Sequence, residues 1–164
     1  ILWLIHVCKC QKSVSTFAIG DTGPAGFIIL TPPKMSTIVM IVDDDPIVRR
    51  LNGRVLECAG EDSKPICCGN GLEALNYLHD HFHPEDRYLI FLDLNMPVMD
   101  GWEFLSLAAN LFPAGSIQVV VLSSSVIESD RKRAEACPLV VRYVEKPLNI
   151  TTAKVVLEGL CFPD

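Results

Sequence analysis

The sequence lacks an apolar run long enough to cross a membrane, and it has little positive charge. The runs ILWLIHVC and FIIL near the amino terminus fall short of the roughly 18 to 20 residues that a membrane-spanning helix needs. The chain has 14 Lys and Arg against 20 Asp and Glu, a net charge of −6. Because phosphate backbones and anionic lipids are bound by clustered Lys and Arg, nucleic acid and membranes are not expected as partners.

Basic residues cluster densely at one place, Arg131 to Arg133. Glu128, Asp130 and Glu135 lie beside this run in the sequence. Mixed charges at this spacing are typical of a solvated helix face, and a patch that binds a partner is the alternative.

The chain also lacks a Cys-x-x-Cys pair. Its 7 cysteines leave at least one thiol unpaired in any disulfide scheme, which favours a reducing compartment and predicts a cytoplasmic protein. No basic segment precedes ILWLIHVC, so a secretory signal peptide is not expected. The tract HDHFH, from His79 to His83, could bind a metal, but its alternate spacing at a predicted helix end favours a solvated helix end.

A chain of 164 residues, 49% of them hydrophobic, is long enough for one compact domain. Residues 1–34 do not share the pattern that follows, and we expect them to form an extension outside the domain, poorly ordered or artefactual. Packing of this segment as an added strand is the alternative. The domain itself is predicted to cover residues 35–162.

From residue 38 onward strand and helix signals alternate, which predicts right-handed crossovers and a parallel α/β sheet. The predicted strands are 38–43, 64–68, 88–93, 117–122 and 139–144. The predicted helices have their own start signals. These signals are Asp45 before Pro46, Asn70 with Glu73, and Asp100 with Glu103. The spacing in the last helix predicts a buried stripe of Ile150, Ala153, Leu157 and Leu160.

Three of the apolar runs end in charged groups. IVMIVDDD ends at Asp43, Asp44 and Asp45, YLIFLD ends at Asp93, and LVVRYVEK ends at Lys146. In open α/β sheets the ligand site lies beyond the carboxyl ends of the strands, so these groups are expected to share one crevice.

Several carboxylates in one crevice require compensation. Two unit charges about 4 Å apart repel by roughly 4 kcal/mol at an effective dielectric constant of 20. A cation would remove this repulsion, and oxygen ligands with open positions suit Mg²⁺. The alternative is that one carboxylate is protonated.

Lys146 and a fourth strand end add groups suited to phosphoryl chemistry. Lys146 precedes Pro147, which disfavours a helix at the lysine and keeps it in an extended or turn conformation. An ammonium there can neutralise charge on a transferring phosphoryl group. Ser123, after the run IQVVVL, offers a hydroxyl at a fourth strand end.

Four segments in this order resemble the receiver domain of two-component response regulators, close to the stand-alone chemotaxis type. They are IVMIVDDDP, LIFLDLNMPVMDGWEF, VVVLSSS and YVEKP, and the resemblance covers about residues 37–160. It implies a doubly wound (βα)5, flavodoxin-like, three-layer sandwich with a five-stranded parallel sheet in the order 2-1-3-4-5. It also implies a chain that is not an enzyme, apart from its own phosphorylation and dephosphorylation.

The same resemblance assigns roles around an Mg²⁺ ion. Asp93 would be the phosphoryl acceptor, with a sensor histidine kinase or phosphotransfer protein as the donor. Asp43 and Asp44 would form the acidic pair, with Asp44 and Asp93 as direct ligands and Asp43 acting largely through water. Asn95 would contribute its backbone carbonyl.

Other roles implied by the resemblance concern the switch. Lys146 would contact the phosphoryl oxygens, and Ser123 would hydrogen-bond one of them after a loop moves. Tyr143 matches the aromatic residue whose rotamer reports that movement, and the Lys146–Pro147 bond is typically cis. The output surface would be the last strand with its flanking helices, about residues 126–160, acting on a downstream protein as a monomer or a phosphorylation-dependent dimer.

Three alternatives stay open at the level of sequence. Asp43 to Ile47 resembles the D-x-D-x-[TV] strand end of haloacid-dehalogenase-like phosphatases, but that family needs a second acidic segment beyond the lysine, where only Glu158 and Asp164 lie. A phosphorylation-independent interaction module is disfavoured by the intact acceptor, acidic pair and lysine. A receiver cut from a longer regulator is the third alternative.

Overall fold

The computed structural model describes residues 36–124 and 127–159, so the predictions for residues 1–34 and for Leu160 lie outside the described residues. Five strands alternate with five helices in the described residues. The elements are β1 (Thr37–Val42), α1 (Pro46–Ala59), β2 (Ile66–Cys68), α2 (Gly71–His81), β3 (Arg87–Asp93), α3 (Gly101–Leu111), β4 (Ile117–Ser123), α4 (Glu128–Glu135), β5 (Val140–Glu145) and α5 (Ile150–Glu158).

The strands form one parallel sheet in the order β2-β1-β3-β4-β5, as predicted. Its strand order reverses between β1 and β3, which lie side by side, so the crevice beyond their carboxyl ends is the expected ligand site. The predicted strand bounds hold to within two residues. β2 begins at Ile66 rather than at residue 64, because Pro65 lacks the N–H that would continue the ladder.

Alternate residues of each strand face opposite layers of helices. In β1, Val39 and Ile41 belong to one hydrophobic cluster, whereas Met40 and Val42 belong to another. The first cluster includes buried residues of α1 and α5, and the second includes buried residues of α2, α3 and α4. The predicted doubly wound three-layer sandwich is therefore confirmed.

Side chains cap the helices at the predicted positions. The Asp45 side chain accepts hydrogen bonds from the backbone N–H groups of Ile47 and Val48 at the start of α1. Asn70 caps α2 in the same way, and Asp100 forms a complete capping box with Glu103 at the start of α3. Each cap satisfies backbone donors that a helix leaves free at its first turn, and it fixes where the preceding loop ends.

The predicted buried stripe of α5 is partly wrong. Ala153 is fully buried and Leu157 is half-buried, but Ile150 is 44% exposed, and Val156 is buried although it was not predicted. Ile150 is the first residue of the helix, while Ala153 and Val156, one turn apart, pack in the same cluster as Leu56 of α1. Several apolar spacings fit one helix, and the neighbouring helix decides which of them is buried.

The basic run is an exposed face of α4. Arg131 pairs with Glu135 at 3.0 Å and Lys132 with Glu128 at 3.8 Å, both one turn apart on the helix. The guanidinium carbon of Arg133 lies 4.0 Å from the ring centroid of Trp102. The basic run therefore lies on an exposed helix face, as predicted. Among the helices of the described residues, none has the length and apolarity needed to cross a membrane.

Candidate functional site

The first two carboxylates follow β1 directly and differ in their exposure to solvent. Asp43 is 2% exposed, whereas Asp44 is exposed to solvent. The backbone N–H of Asp43 donates to the carbonyl of Cys68 at 3.2 Å, and its Oδ1 accepts from the N–H of Asp45 at 2.9 Å. The chain therefore turns away from the sheet between a buried and an accessible aspartate.

The third carboxylate is Asp93, the last residue of β3. It is 7% exposed, and its Oδ1 accepts from the N–H of Asn95 at 3.2 Å. One carboxylate oxygen each of Asp43, Asp44 and Asp93 lies within 4.8 Å of the other two. The predicted convergence of acidic groups from β1 and β3 is therefore present in the structure.

Lys146 joins two of these carboxylates. Its Nζ lies 2.7 Å from Oδ2 of Asp43 and 2.7 Å from Oδ2 of Asp93. Burial acts to lower the pKa of Lys146, but hydrogen bonds and charge from Asp43 and Asp93 outweigh it, so the pKa is raised above its usual 10.5. The lysine stays charged at neutral pH and offsets part of the repulsion that the sequence predicted.

β4 and β5 bring the remaining predicted residues to this edge. Ser123, the last residue of β4, is buried, and its carbonyl accepts from the backbone N–H of Lys146 at 2.9 Å. The Lys146–Pro147 bond is cis. Tyr143 is half-buried. It pairs in register with Val121, two residues before Ser123 on β4, so its backbone lies further from the carboxyl end of the sheet than that of Ser123.

The donor set fits a small divalent cation. Three carboxylates and one ammonium leave a net charge of −2, and all the candidate side-chain donors are oxygens. Mg²⁺ prefers hard oxygen donors and usually keeps several of its waters. Because Asp44 is exposed, a cation bound to it would also be accessible to water.

Comparison with known proteins agrees with this geometry. The family profile described as the response regulator receiver domain matches residues 39–157. This chain belongs to the response regulator receiver family. The probable methanogenesis regulatory protein FilR2 of Methanothrix harundinacea is 31% identical over 125 residues, which are 75% of this chain and 80% of that protein. A two-component response regulator of Cytophaga hutchinsonii has a similar structure, with a TM-score of 0.69 and 29% identity over 77% of this chain and 97% of that one.

Receiver domains also occur inside much longer proteins. Hybrid signal transduction histidine kinase C of Dictyostelium discoideum is 34% identical over 89 residues, which are 52% of this chain but 7% of that protein. The match to the receiver family, together with the strand order, argues against the alternative that Asp43 to Ile47 is the strand end of a haloacid-dehalogenase-like phosphatase.

A glycine lets helix α3 of the receiver domain approach the acceptor strand. A Cβ atom on Gly101 would stand 2.5 Å from the carbonyl oxygen of Asp93 and 2.8 Å from the Cα of Leu94. The N–H of Gly101 donates to the carbonyl of Leu94 at 3.0 Å. The Asp-Gly pair in the segment MDGWEF therefore combines a helix cap with a close contact that fixes the chain around Asp93.

We expect Gly101→Ala to lower the free energy of unfolding by about 1 to 3 kcal/mol, because its methyl group overlaps backbone atoms that cannot move separately from β3. Gly53→Ala is the matched control. A Cβ there meets only Ile41 Cδ1 at 3.9 Å, and alanine is favoured over glycine within a helix, so stability should rise by about 0.5 to 1 kcal/mol. Urea unfolding of both variants measures the two changes, and equal signs would contradict the explanation.

Two residues near the site were missed at the level of sequence. Nη1 of Arg49 donates to the backbone carbonyl of Asp43. The sequence has no distinctive signal for this hydrogen bond, because an arginine in the first turns of a helix is commonplace. Cys68, at the end of β2, is buried, and burial, with a smaller contribution from Glu73, raises its pKa to about 11. Cys68 is therefore a neutral packing group beside the site and not a nucleophile at neutral pH.

Proposed function

We propose that this receiver domain accepts a phosphoryl group on Asp93 from a phosphohistidine of a sensor histidine kinase or phosphotransfer protein, in a reaction that needs Mg²⁺. The observation that carries the proposal is the position of the Asp93 carboxylate. It ends a central strand, lies within 4.8 Å of the carboxylates of Asp43 and Asp44, and binds the ammonium of Lys146 at 2.7 Å.

In the proposed reaction a carboxylate oxygen of Asp93 forms a bond to phosphorus while the bond from phosphorus to the histidine nitrogen breaks. The imidazole leaves with the bonding electron pair, and Asp93 becomes an aspartyl phosphate. The protein contributes mainly positioning and electrostatic stabilisation. Bound Mg²⁺ would be held by Asp44, Asp93 and the backbone carbonyl of Asn95, with Asp43 acting through water, and would neutralise charge on the phosphoryl oxygens.

Lys146 and Ser123 can couple this chemistry to a change in conformation. Lys146 already contacts one carboxylate oxygen of Asp93. After phosphorylation of Asp93, the ammonium can bind the phosphoryl oxygens, which then carry the negative charge. Ser123 is held beside Lys146 by the β4–β5 ladder and would hydrogen-bond a phosphoryl oxygen, with the ring of Tyr143 changing position in response. Shifting a two-state equilibrium from 1:99 to 99:1 takes roughly 5.5 kcal/mol, which a few charge-assisted hydrogen bonds can supply.

The proposed output surface is formed by α4, β5 and α5 and acts on a downstream protein. We also propose a cytoplasmic domain over residues 35–162, with residues 1–34 outside it, and no catalysis beyond the domain's own phosphorylation and dephosphorylation. It would act as a monomer or as a dimer formed on phosphorylation.

The test of the proposed function uses beryllofluoride, which mimics a phosphoryl group on a carboxylate. Mg²⁺ and beryllofluoride are added to the full chain in a Trp3→Phe background, so that Trp102 is its only indole. We expect amide resonances near Asp93, Ser123 and Tyr143 to shift and the fluorescence of Trp102 to change. Unchanged spectra at saturating Mg²⁺ and beryllofluoride would instead support an interaction module that does not depend on phosphorylation.

A further inference from the structure

Asp43 is held by hydrogen bonds to its N–H, its side chain and its carbonyl. Its N–H donates to the carbonyl of Cys68, and its side chain accepts from the N–H of Asp45 and from Lys146. Its carbonyl accepts a hydrogen bond from Nη1 of Arg49, which projects from α1. Of these groups, Arg49 alone has no place in the roles derived above.

The carbonyl of Asp43 determines where Asp44 lies. A peptide unit is planar, so the carbonyl of one residue and the Cα of the next move together. A hydrogen bond that fixes the carbonyl of Asp43 therefore also fixes the point from which the Asp44 side chain starts. Asp44 is the exposed member of the acidic pair, so the position of its side chain depends strongly on that of its backbone.

The guanidinium of Arg49 also lies near the connection between β2 and α2. Its Nη1 lies 3.7 Å from the position that a Cβ would take on Gly69, in the connection between β2 and α2. Two oxygens of Glu73 lie 3.3 and 3.4 Å from the same point, and one of them accepts the N–H of Gly69 at 2.7 Å. The guanidinium therefore lies near the opposite charge of Glu73 while it binds the turn after β1. Arg49 is half-buried, whereas the neighbouring Arg50 is exposed.

We propose that Arg49 is a positioning residue that orients the peptide between Asp43 and Asp44 for binding of the divalent cation. The proposal rests on the proposed function, since the acidic pair is its metal site. Arg49 acts through the backbone and touches neither the phosphoryl group nor the acceptor. A charge-assisted hydrogen bond to a backbone carbonyl is strong enough for this role.

The sign of the change in Mg²⁺ affinity separates positioning from simple electrostatics. Removal of a positive charge near three carboxylates should, by charge alone, tighten Mg²⁺ binding. Loss of positioning should weaken it. We expect Arg49→Gln to raise the Mg²⁺ dissociation constant about tenfold, the lower end of the range for groups that orient metal ligands.

The experiment is a titration of MgCl₂ into the full chain, without any phosphodonor, followed by the backbone amide resonances of Asp44, Asp45 and Asn95. Arg50→Gln is the matched control, because it removes the same charge from the next residue of the same helix, and its dissociation constant should change less than about twofold. Arg49→Lys should give an intermediate value. The amide resonance of Asp44 should shift in Arg49→Gln before Mg²⁺ is added, and it should stay in place in Arg50→Gln.

Each outcome bears on one proposal. Absence of Mg²⁺ binding in the unmodified chain would contradict the proposed function before any variant is compared. Normal binding by the unmodified chain together with equal or tighter binding by Arg49→Gln would overturn the role of Arg49 alone. Should Arg49→Gln fail to fold, Arg49→Lys decides, because it keeps the charge and loses the planar fork. Weaker Mg²⁺ binding would then support the role, and unchanged binding would overturn it.

Discussion

Asp93→Asn is expected to abolish labelling of the protein by acetyl phosphate in the presence of Mg²⁺. The amide of asparagine is a very poor nucleophile, and the substitution also removes one of the three carboxylate charges gathered at the carboxyl ends of β1 and β3. Asp93 is buried and shares the Lys146 ammonium with Asp43, and it is the carboxylate on which the phosphoryl group is proposed to form. The readout is the incorporated phosphoryl mass, measured on the intact protein.

Asp62→Asn provides the control for this experiment. Asp62 is exposed in the connection between α1 and β2, far along the chain from the three site aspartates, and the substitution makes the same change of charge. Its labelling should equal that of the unmodified chain. Labelling of Asp93→Asn at the same rate as the control would show that the phosphoryl group resides elsewhere. A thermal melt of Asp93→Asn verifies that loss of labelling does not come from loss of the fold.

Lys146→Met is expected to lower the free energy of unfolding by about 2 to 4 kcal/mol at neutral pH, because two buried carboxylates would lose their shared cation. The Lys146 side chain is 18% exposed, while those of Asp43 and Asp93 are 3% and 9% exposed, so water can compensate only part of the loss. Lys154→Met, on the exposed side of α5, is the control and should change stability by less than about 0.5 kcal/mol. Urea unfolding at constant ionic strength measures both variants.

The pH dependence of this effect has a definite sign. The pKa of Lys146 is raised in the folded protein, so its contribution to stability is complete below the usual 10.5 and is lost as pH rises through the higher folded value. The difference between the unmodified chain and Lys146→Met should therefore be constant from neutral pH to mildly alkaline pH and shrink above about 10.5. If the difference in the free energy of unfolding already shrinks near pH 8, the explanation by charged hydrogen bonds of Lys146 is wrong.

Addition of Mg²⁺ should recover more stability in Lys146→Met than in the unmodified chain. A ligand that binds only the folded state stabilises it by an amount that grows as its dissociation constant falls. Without the ammonium, the three carboxylates attract a divalent cation more strongly. Equal recovery in both proteins would mean that the cation binds away from Lys146 and its partners.

The sequence alone determined the order of the elements and the chemistry at the strand ends. Asp45 with Pro46 and Asp100 with Glu103 predicted helix starts that the structure confirms, because caps depend on residues only a few positions apart. The runs that end at Asp43 and Asp93 predicted parallel strands with acidic ends for the same reason: an apolar run and the residue that follows it are local features.

Only the tertiary structure decided how these groups share their partners. Lys146 binds Asp43 and Asp93 across separations of 103 and 53 residues, and the register of β4 with β5 sets that contact. The bond from Arg49 to the Asp43 carbonyl had no distinctive sequence signal, because one partner is a backbone atom that every residue has. The buried face of α5 was likewise settled by its packing against the cluster that includes Leu56. Local patterns specify which groups a strand or helix presents, and the pairing of the strands and the packing of the helices determine which of them meet.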